Sequence, residues 1–298
     1  MRYITSAIVP SSQRRLLPRV GSSWMAPVAN VSASVQHRIA CENTGYHDSV
    51  PVDKGSGAML KVIFFDLFET LITEYDPSWL PPSSPAEYLG LDVARFRQEW
   101  RARWRARMTG MYPDYASVLE DICRAMGSPA DDGRIAHLQA HRLALKAVPF
   151  TRVEPAIVTM LHALRHLGLT VGVISNCTPE EVAAWPTSPL AECCDDVIFS
   201  YQAGWAKPDP RIYHLACRRL SVVSAEALFV GDGGSDELHG AAAVGLDAYQ
   251  ATWFLDRWPA ARQAEPLFAP AAGYPRVGTV AELQALVMAR CAASGRQV

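Results

Sequence analysis

No stretch of this 298-residue chain approaches the roughly 20 consecutive apolar residues that a bilayer-crossing helix needs, so no membrane partner is expected. A surplus of positive charge is missing too. There are 28 Lys and Arg against 30 Asp and Glu, for a formal net charge of -2. Nucleic acid, which a basic surplus would attract, is therefore not an expected partner. Cysteine is sparse and shows no paired spacing. The seven are Cys41, Cys123, Cys177, Cys193, Cys194, Cys217 and Cys291, an odd number with no C-x-x-C among them. That argues against a disulfide framework or a zinc ribbon and fits a reducing, cytoplasmic setting.

Residues 1–58 lack any sustained hydrophobic period. They scatter Arg, Ser, Pro and Gly, and they read as a disordered N-terminal extension or an over-extended start, with Met59 the natural first residue. No apolar core follows the Arg-containing beginning, so a secretory signal is not expected. Residues 1–40 hold no acidic residue, which makes a transit peptide the sharper alternative.

What is present from Leu60 onward is an alternation. Leu60 to Asp66 is a short apolar run ending in a carboxylate, the pattern of a buried parallel strand. Similar runs recur at Thr170 to Ser175, Asp196 to Ser200, Leu228 to Gly231 and Asp247 to Thr252. Helical patterns separate them at Pro155 to Leu167, Pro179 to Trp185, Pro210 to Leu220 and Asp236 to Val244. Strands alternating with helices predict an α/β fold, a Rossmann-like doubly wound parallel sheet.

Between Asp76 and Pro149 the alternation stops and only helices are expected. Ser84-Pro85-Ala86-Glu87 has the form of a capping box with Pro at the first helical position. Phe96, Trp100, Trp104 and Met108 fall four apart, as on one helix face, and read as packing. Further helices are expected near Tyr115 to Met126 and Asp132 to Ala147. The division is thus an α/β core of residues 59–76 and 150–292 with an inserted helical cap of residues 77–149. An insert leaving the carboxyl end of a strand can cover the crevice where such sheets bind ligands.

Four places at strand ends or the turns after them carry polar chemistry. Asp66 ends the first strand, and Ser175-Asn176 ends the second. Lys207 lies in Ala206-Lys207-Pro208-Asp209-Pro210. Asp232 and Asp236 lie in Gly231-Asp232-Gly233-Gly234-Ser235-Asp236. Taken singly, each is an ordinary turn residue or a solvated lysine. Together they converge on one crevice, where paired carboxylates suit a hard cation such as Mg²⁺ and a lysine can offset the charge of a carboxylate and an anionic substrate.

Those four motifs, in that order, with Asp66-x-Phe68-x-Thr70 at the first, resemble the haloacid dehalogenase superfamily from about Leu60 to Ala289. The insert resembles its α-helical cap. The resemblance implies that Asp66 is a covalent nucleophile, that Thr70 and Ser175 bind substrate oxygens, and that Lys207 holds Asp66 and the phosphoryl group. It implies Mg²⁺ held by Asp66, the backbone carbonyl of Phe68, Asp232 and Asp236. Asn176 and Arg97 join the candidate substrate-binding residues, and the expected substrate is a small anionic phosphorylated metabolite. The oligomeric state, monomer or homodimer, stays open.

Phe68 departs from the phosphatases of that superfamily, which have an aspartate acid–base there. The 2-haloacid dehalogenases carry an aromatic at that position, work without metal and displace halide, which needs no proton. Arg97 and Tyr213 fit them, although Tyr213 also suits helix packing. Against them stands Asp232, a carboxylate they lack. The phosphatase-like reading ranks first and the dehalogenase second. A catalytically weak phospho-ligand-binding member is the third.

Overall fold

A computed structural model of the chain describes residues 58–76, 84–259, 271 and 273–294. Residues 1–57 lie outside them, and with them all but the last residue of the expected extension. The six strands are β1 (Val62–Phe65), β2 (Thr170–Ser175), β3 (Asp196–Phe199), β4 (Ala227–Gly231), β5 (Asp247–Ala251) and β6 (Arg276–Val277). They form one sheet in the order β3-β2-β1-β4-β5-β6, with every pairing parallel. The five expected strands are all present. The two-residue β6 and the helix after it were not anticipated, because a pair is too short to show a period.

Alternate residues of each strand enter different layers, as the two-residue pleat requires. On one face Ile63, Phe65, Val171, Val173, Leu228 and Val230 pack with Ile157, Met160 and Leu161 of α6 (Pro155–His166). Leu283 and Val287 of α11 (Val280–Ala293) complete that layer. On the other face Val62, Phe64, Ile174 and Phe229 pack with Ile212 and Ala216 of α9 (Pro210–Arg219) and Leu238 and Ala241 of α10 (Glu237–Ala243). Both faces are covered, which is why the strands read as continuous apolar runs.

The described part of the insert holds helices joined by turns: α1 (Pro85–Leu89), α2 (Val93–Ala102), α3 (Trp104–Met108), α4 (Tyr115–Ala125) and α5 (Asp132–Thr151). Ala86, Phe96, Tyr115, Leu119, Ile122 and Ile135 give it a core of its own. The Glu87 carboxylate accepts from the Ser84 N–H at 3.2 Å, but the Ser84 hydroxyl makes no capping bond. The continuous stripe expected along residues 96–108 is broken. Arg103 leaves helical geometry, bound to Glu99 and Asp121, and Trp104 is 38% exposed. The helix expected at Pro179 to Trp185 is two short 3₁₀ turns, Pro179–Glu181 and Trp185–Thr187. Two prolines in nine residues, Pro179 and Pro186, explain why no α-helix runs through. Among the described residues no helix is long and apolar enough to cross a membrane.

Candidate active site

The strand order runs outward in opposite directions from β1 and β4, so the switch point of the sheet lies at their carboxyl ends. Asp66 emerges there from β1, its N–H donating to the Val230 carbonyl at 2.8 Å. Asp232 emerges beside it from β4, because Phe65 pairs with Val230. That register sets Asp66 beside Gly231, and the turn just past β4 brings the carboxylate of Asp232, one residue on, within 4.8 Å of that of Asp66.

Lys207 reaches the same point from the loop before α9. Its ammonium donates to Asp66 Oδ1 and to Glu237 Oε2, and the side chain is 2% exposed. Asn176 fixes that loop from the end of β2. Its Oδ1 accepts from the Lys207 N–H at 2.7 Å and its Nδ2 donates to the Lys207 carbonyl at 2.9 Å. Both polar atoms of Asn176 thus bond the Lys207 backbone, so Asn176 positions Lys207 in the site.

Asp236 does not join this group. The expectation placed it in the metal site, but the carboxylate that meets Asp66 and Asp232 belongs to Glu237, one residue on. Ser235 and Asp236 both have φ of 55°, in the left-handed region. Two such residues in succession turn the chain by more than a helical entry would, leaving Asp236 exposed and Glu237 buried. Gly231 makes room for it: a Cβ there would lie 2.1 Å from Glu237 Oε1. The Gly233 N–H donates to that same Oε1 at 3.1 Å, and Tyr213 Oη donates to the Glu237 carbonyl at 2.7 Å. Tyr213, packed edge-on against Phe229, is a support for Glu237.

One carboxylate oxygen from each of Asp66, Asp232 and Glu237 lies within 4.8 Å of the others. Burial and then the charge of Asp66 push the Asp232 carboxyl up to about 7. Burial and Asp66 also hold Glu237 well above the usual carboxylate range, against the pull of Lys207. Burial disfavours the ammonium of Lys207, but Asp66 and Glu237 outweigh it and raise its pKa. Three carboxylates thus face one cation in a site shielded from water. An all-oxygen donor set with uncompensated negative charge fits a divalent hard cation.

Thr70 is buried, with Oγ1 3.5 Å from Asp66 Oδ2. Ser175 Oγ is buried and has no hydrogen-bond partner, which suits an oxygen supplied from outside. Phe68 is half-buried, with the Lys146 ammonium 5.6 Å from its ring centre. Glu69 faces elsewhere, accepting from Thr73, Trp258 and the Glu74 N–H at 2.7–2.9 Å. Arg97, expected to bind substrate, is exposed on α2. It lines a cap cavity of about 290 Å³ with Trp100, Arg101, Tyr115 and Arg142. No hydrogen bond or ion pair joins it to Asp66, Ser175 or Lys207.

Known proteins with related chains divide in their activities. An (S)-2-haloacid dehalogenase from Pseudomonas sp. (strain CBS-3) is 30% identical over 155 residues, covering 50% of this chain and 66% of that protein. A glyceraldehyde 3-phosphate phosphatase from Pyrococcus abyssi is 29% identical over 211 residues, covering 66% and 82%. The chain spans just under two thirds of the first and about a third of another relative, the bovine haloacid dehalogenase-like hydrolase domain-containing protein 3. A 2-haloacid dehalogenase structure from Pseudomonas syringae pv. Tomato DC3000 shares the fold, with TM-score 0.52 and 22% identity over 78% of this chain and 99% of that one. The family model of haloacid dehalogenase-like hydrolases matches residues 60–245. That span runs from β1 past Glu237, through all of the motifs above, and the chain belongs to this family of hydrolases.

Proposed function

We propose that this hydrolase is a Mg²⁺-dependent phosphatase acting on a small phosphorylated metabolite. One observation carries the reading: three carboxylates, Asp66, Asp232 and Glu237, lie together, and the one buried lysine beside them bonds only Asp66 and Glu237. A nucleophile that works without metal has no use for two further carboxylates at its side. One lysine offsets only part of their charge, and without a further cation the remainder is mutual repulsion.

Asp66, Asp232 and Glu237 would hold the Mg²⁺, together with the Phe68 carbonyl. The ion supplies charge neutralisation for the transferring phosphoryl oxygens. Lys207 occupies Oδ1 of Asp66, and Oδ2, where the Thr70 hydroxyl rests at 3.5 Å, is the oxygen that attacks phosphorus. The Asp66 oxygen–phosphorus bond forms as the ester oxygen departs with the bonding pair. Ser175 Oγ and Thr70 Oγ1 donate to phosphoryl oxygens. Water then attacks the same phosphorus, releasing phosphate and restoring the carboxylate. Neither Phe68 nor the turned-away Glu69 can protonate the leaving oxygen, so turnover is slow or draws its proton from water. Acid catalysis at such a step contributes about 10²–10⁴-fold.

The second reading is a 2-haloacid dehalogenase, favoured by Phe68 itself, because departing halide needs no proton. Calorimetric titration with Mg²⁺ separates the two. The phosphatase reading expects binding by the wild type and its loss in Asp232→Asn. Absence of Mg²⁺ binding by the folded wild type would refute it.

A further inference from the structure

Two adjacent cysteines meet a histidine at the amino ends of β2 and β3. Cys193 ends the short helix Pro189–Cys193, and Cys194 leads through Asp195 into β3. Backbone pairing fixes the place. The Asp195 N–H donates to the Val171 carbonyl at 2.8 Å, and Asp195 Oδ2 accepts the Val171 N–H at 2.9 Å. Every strand runs parallel, so this edge of the sheet is opposite the one that carries Asp66 and Asp232. His162 comes from near the end of α6, and its Nε2 lies 3.6 Å from Cys193 Sγ. Cys193 is 1% exposed, Cys194 is half-buried and His162 is exposed. The pair is therefore closed on the sulfur side and open on the imidazole side.

The separation matches a coordination geometry. A tetrahedral Zn²⁺ takes thiolate sulfur at about 2.3 Å and imidazole nitrogen at about 2.0–2.1 Å, which sets two such donors about 3.5 Å apart. Sulfur and nitrogen together select a soft or borderline cation, unlike the all-oxygen group at Asp66. A redox role for the adjacent thiols fits less well. Burial, above any other influence, raises the Cys193 thiol and pushes that of Cys194 up to about 12. Protonated thiols are poor nucleophiles toward oxidants. Arg165, three residues past His162, is held by the Glu192 carbonyl and Asp195 at 2.9 and 3.1 Å. Its charge acts on both sulfurs and favours their thiolates.

We propose that Cys193 and His162 are the preformed half of a site for a thiophilic divalent cation such as Zn²⁺, completed by Cys194 and by water on the exposed side. Among the described residues only Asp66, Asp232 and Glu237 already bring three donor atoms within 4.8 Å of one another. Cys194 therefore turns its thiol in about the Cα–Cβ bond as the ion binds, and the thiol protons pass to water. The ion clasps α6 to the start of β3, apart from the chemistry at Asp66.

The probe is Cd²⁺, whose bond to thiolate gives an ultraviolet charge-transfer band that oxygen ligands do not give. Titration in excess Mg²⁺ keeps the carboxylate group occupied. The wild type is expected to bind one equivalent by this band and to unfold at a higher temperature with it. Cys193→Ser is expected to abolish the band. Cys194→Ser should halve its intensity and weaken binding. His162→Gln changes an exposed side chain, so the fold persists, and affinity should fall by roughly tenfold or more, since losing even a supporting group costs about that much. No band in the wild type, or band and affinity unchanged in any one of the three variants, would overturn the site and leave the 3.6 Å contact as a hydrogen bond. Either result leaves the phosphatase reading as it stands.

Discussion

Gly231 and Glu237 share a space that only one side chain can fill. A Cβ on Gly231 would lie 2.1 Å from Glu237 Oε1 and 2.7 Å from Cδ. Gly231→Ala therefore displaces the third carboxylate without touching Asp66 or Asp232. The substitution is expected to weaken Mg²⁺ affinity by about 10–100-fold, the range seen when the groups that orient a metal ligand are lost. Calorimetric titration checks it. Wild-type affinity in the folded variant would place Glu237 outside the metal site.

Lys207 is a buried cation between two buried carboxylates. Removing it leaves both without their counter-charge. Lys207→Met is expected to destabilise the metal-free protein by about 3–5 kcal/mol, measured by urea unfolding at pH 7. Adding Glu237→Gln in the same chain should recover part of that loss. A single variant as stable as the wild type would contradict the electrostatic reading.

Phe68 stands where an acid would protonate the leaving group. Phe68→Asp is expected to raise p-nitrophenyl phosphate turnover, toward the roughly 10²-fold lower end of what acid catalysis supplies. Thermal unfolding verifies the fold of the variant. Unchanged or lower turnover in a folded variant would remove the missing proton as the reason for slow chemistry.

The core and its switch point were legible because parallel strands leave runs that are apolar at every position, from Val62 to Phe65 and from Leu228 to Val230. Asp66 and Asp232 followed from their places at strand ends, and Lys207 from its place just before a helix. Glu237 did not, because the turn at Ser235 and Asp236 takes a left-handed path that their side chains do not announce. The fit of Gly231 beneath Glu237 was equally hidden, since it joins residues six apart through space. Asn176 was seen as a site residue, but its bonds to the Lys207 backbone were not, because a partner thirty-one residues away cannot be read from its own neighbourhood. The break at Arg103 is another tertiary effect. Its bonds to Glu99 and Asp121 override a regular four-residue spacing.

Glu181 ties the cap to the core through Arg142 and Lys146 at 2.8 and 3.3 Å. Burial alone would raise its carboxyl, but Lys146 and Arg142 outweigh that and lower it from 4.5 to about 2. A depressed carboxyl contributes stability that is full above the unfolded value and fades as pH falls toward the folded one. The contribution should therefore be intact at pH 6 and decline from about pH 4.5 toward 2, by on the order of 3 kcal/mol in all. Urea unfolding of the wild type and Glu181→Gln across pH 6 to 3 measures it. The gap between the two should narrow with acid; a constant gap would deny the ion pairs their role.

The most direct measurement is product release from two substrates by one preparation, with Mg²⁺ and with EDTA, for wild type and Asp66→Asn. The wild type is predicted to release phosphate from a phosphomonoester only with Mg²⁺ and no chloride from 2-chloropropionate. Asp66→Asn is predicted to lose phosphate release by roughly 10⁴-fold or more. Chelator-insensitive chloride release, or full activity in Asp66→Asn, would contradict a cation-assisted nucleophile at the end of β1.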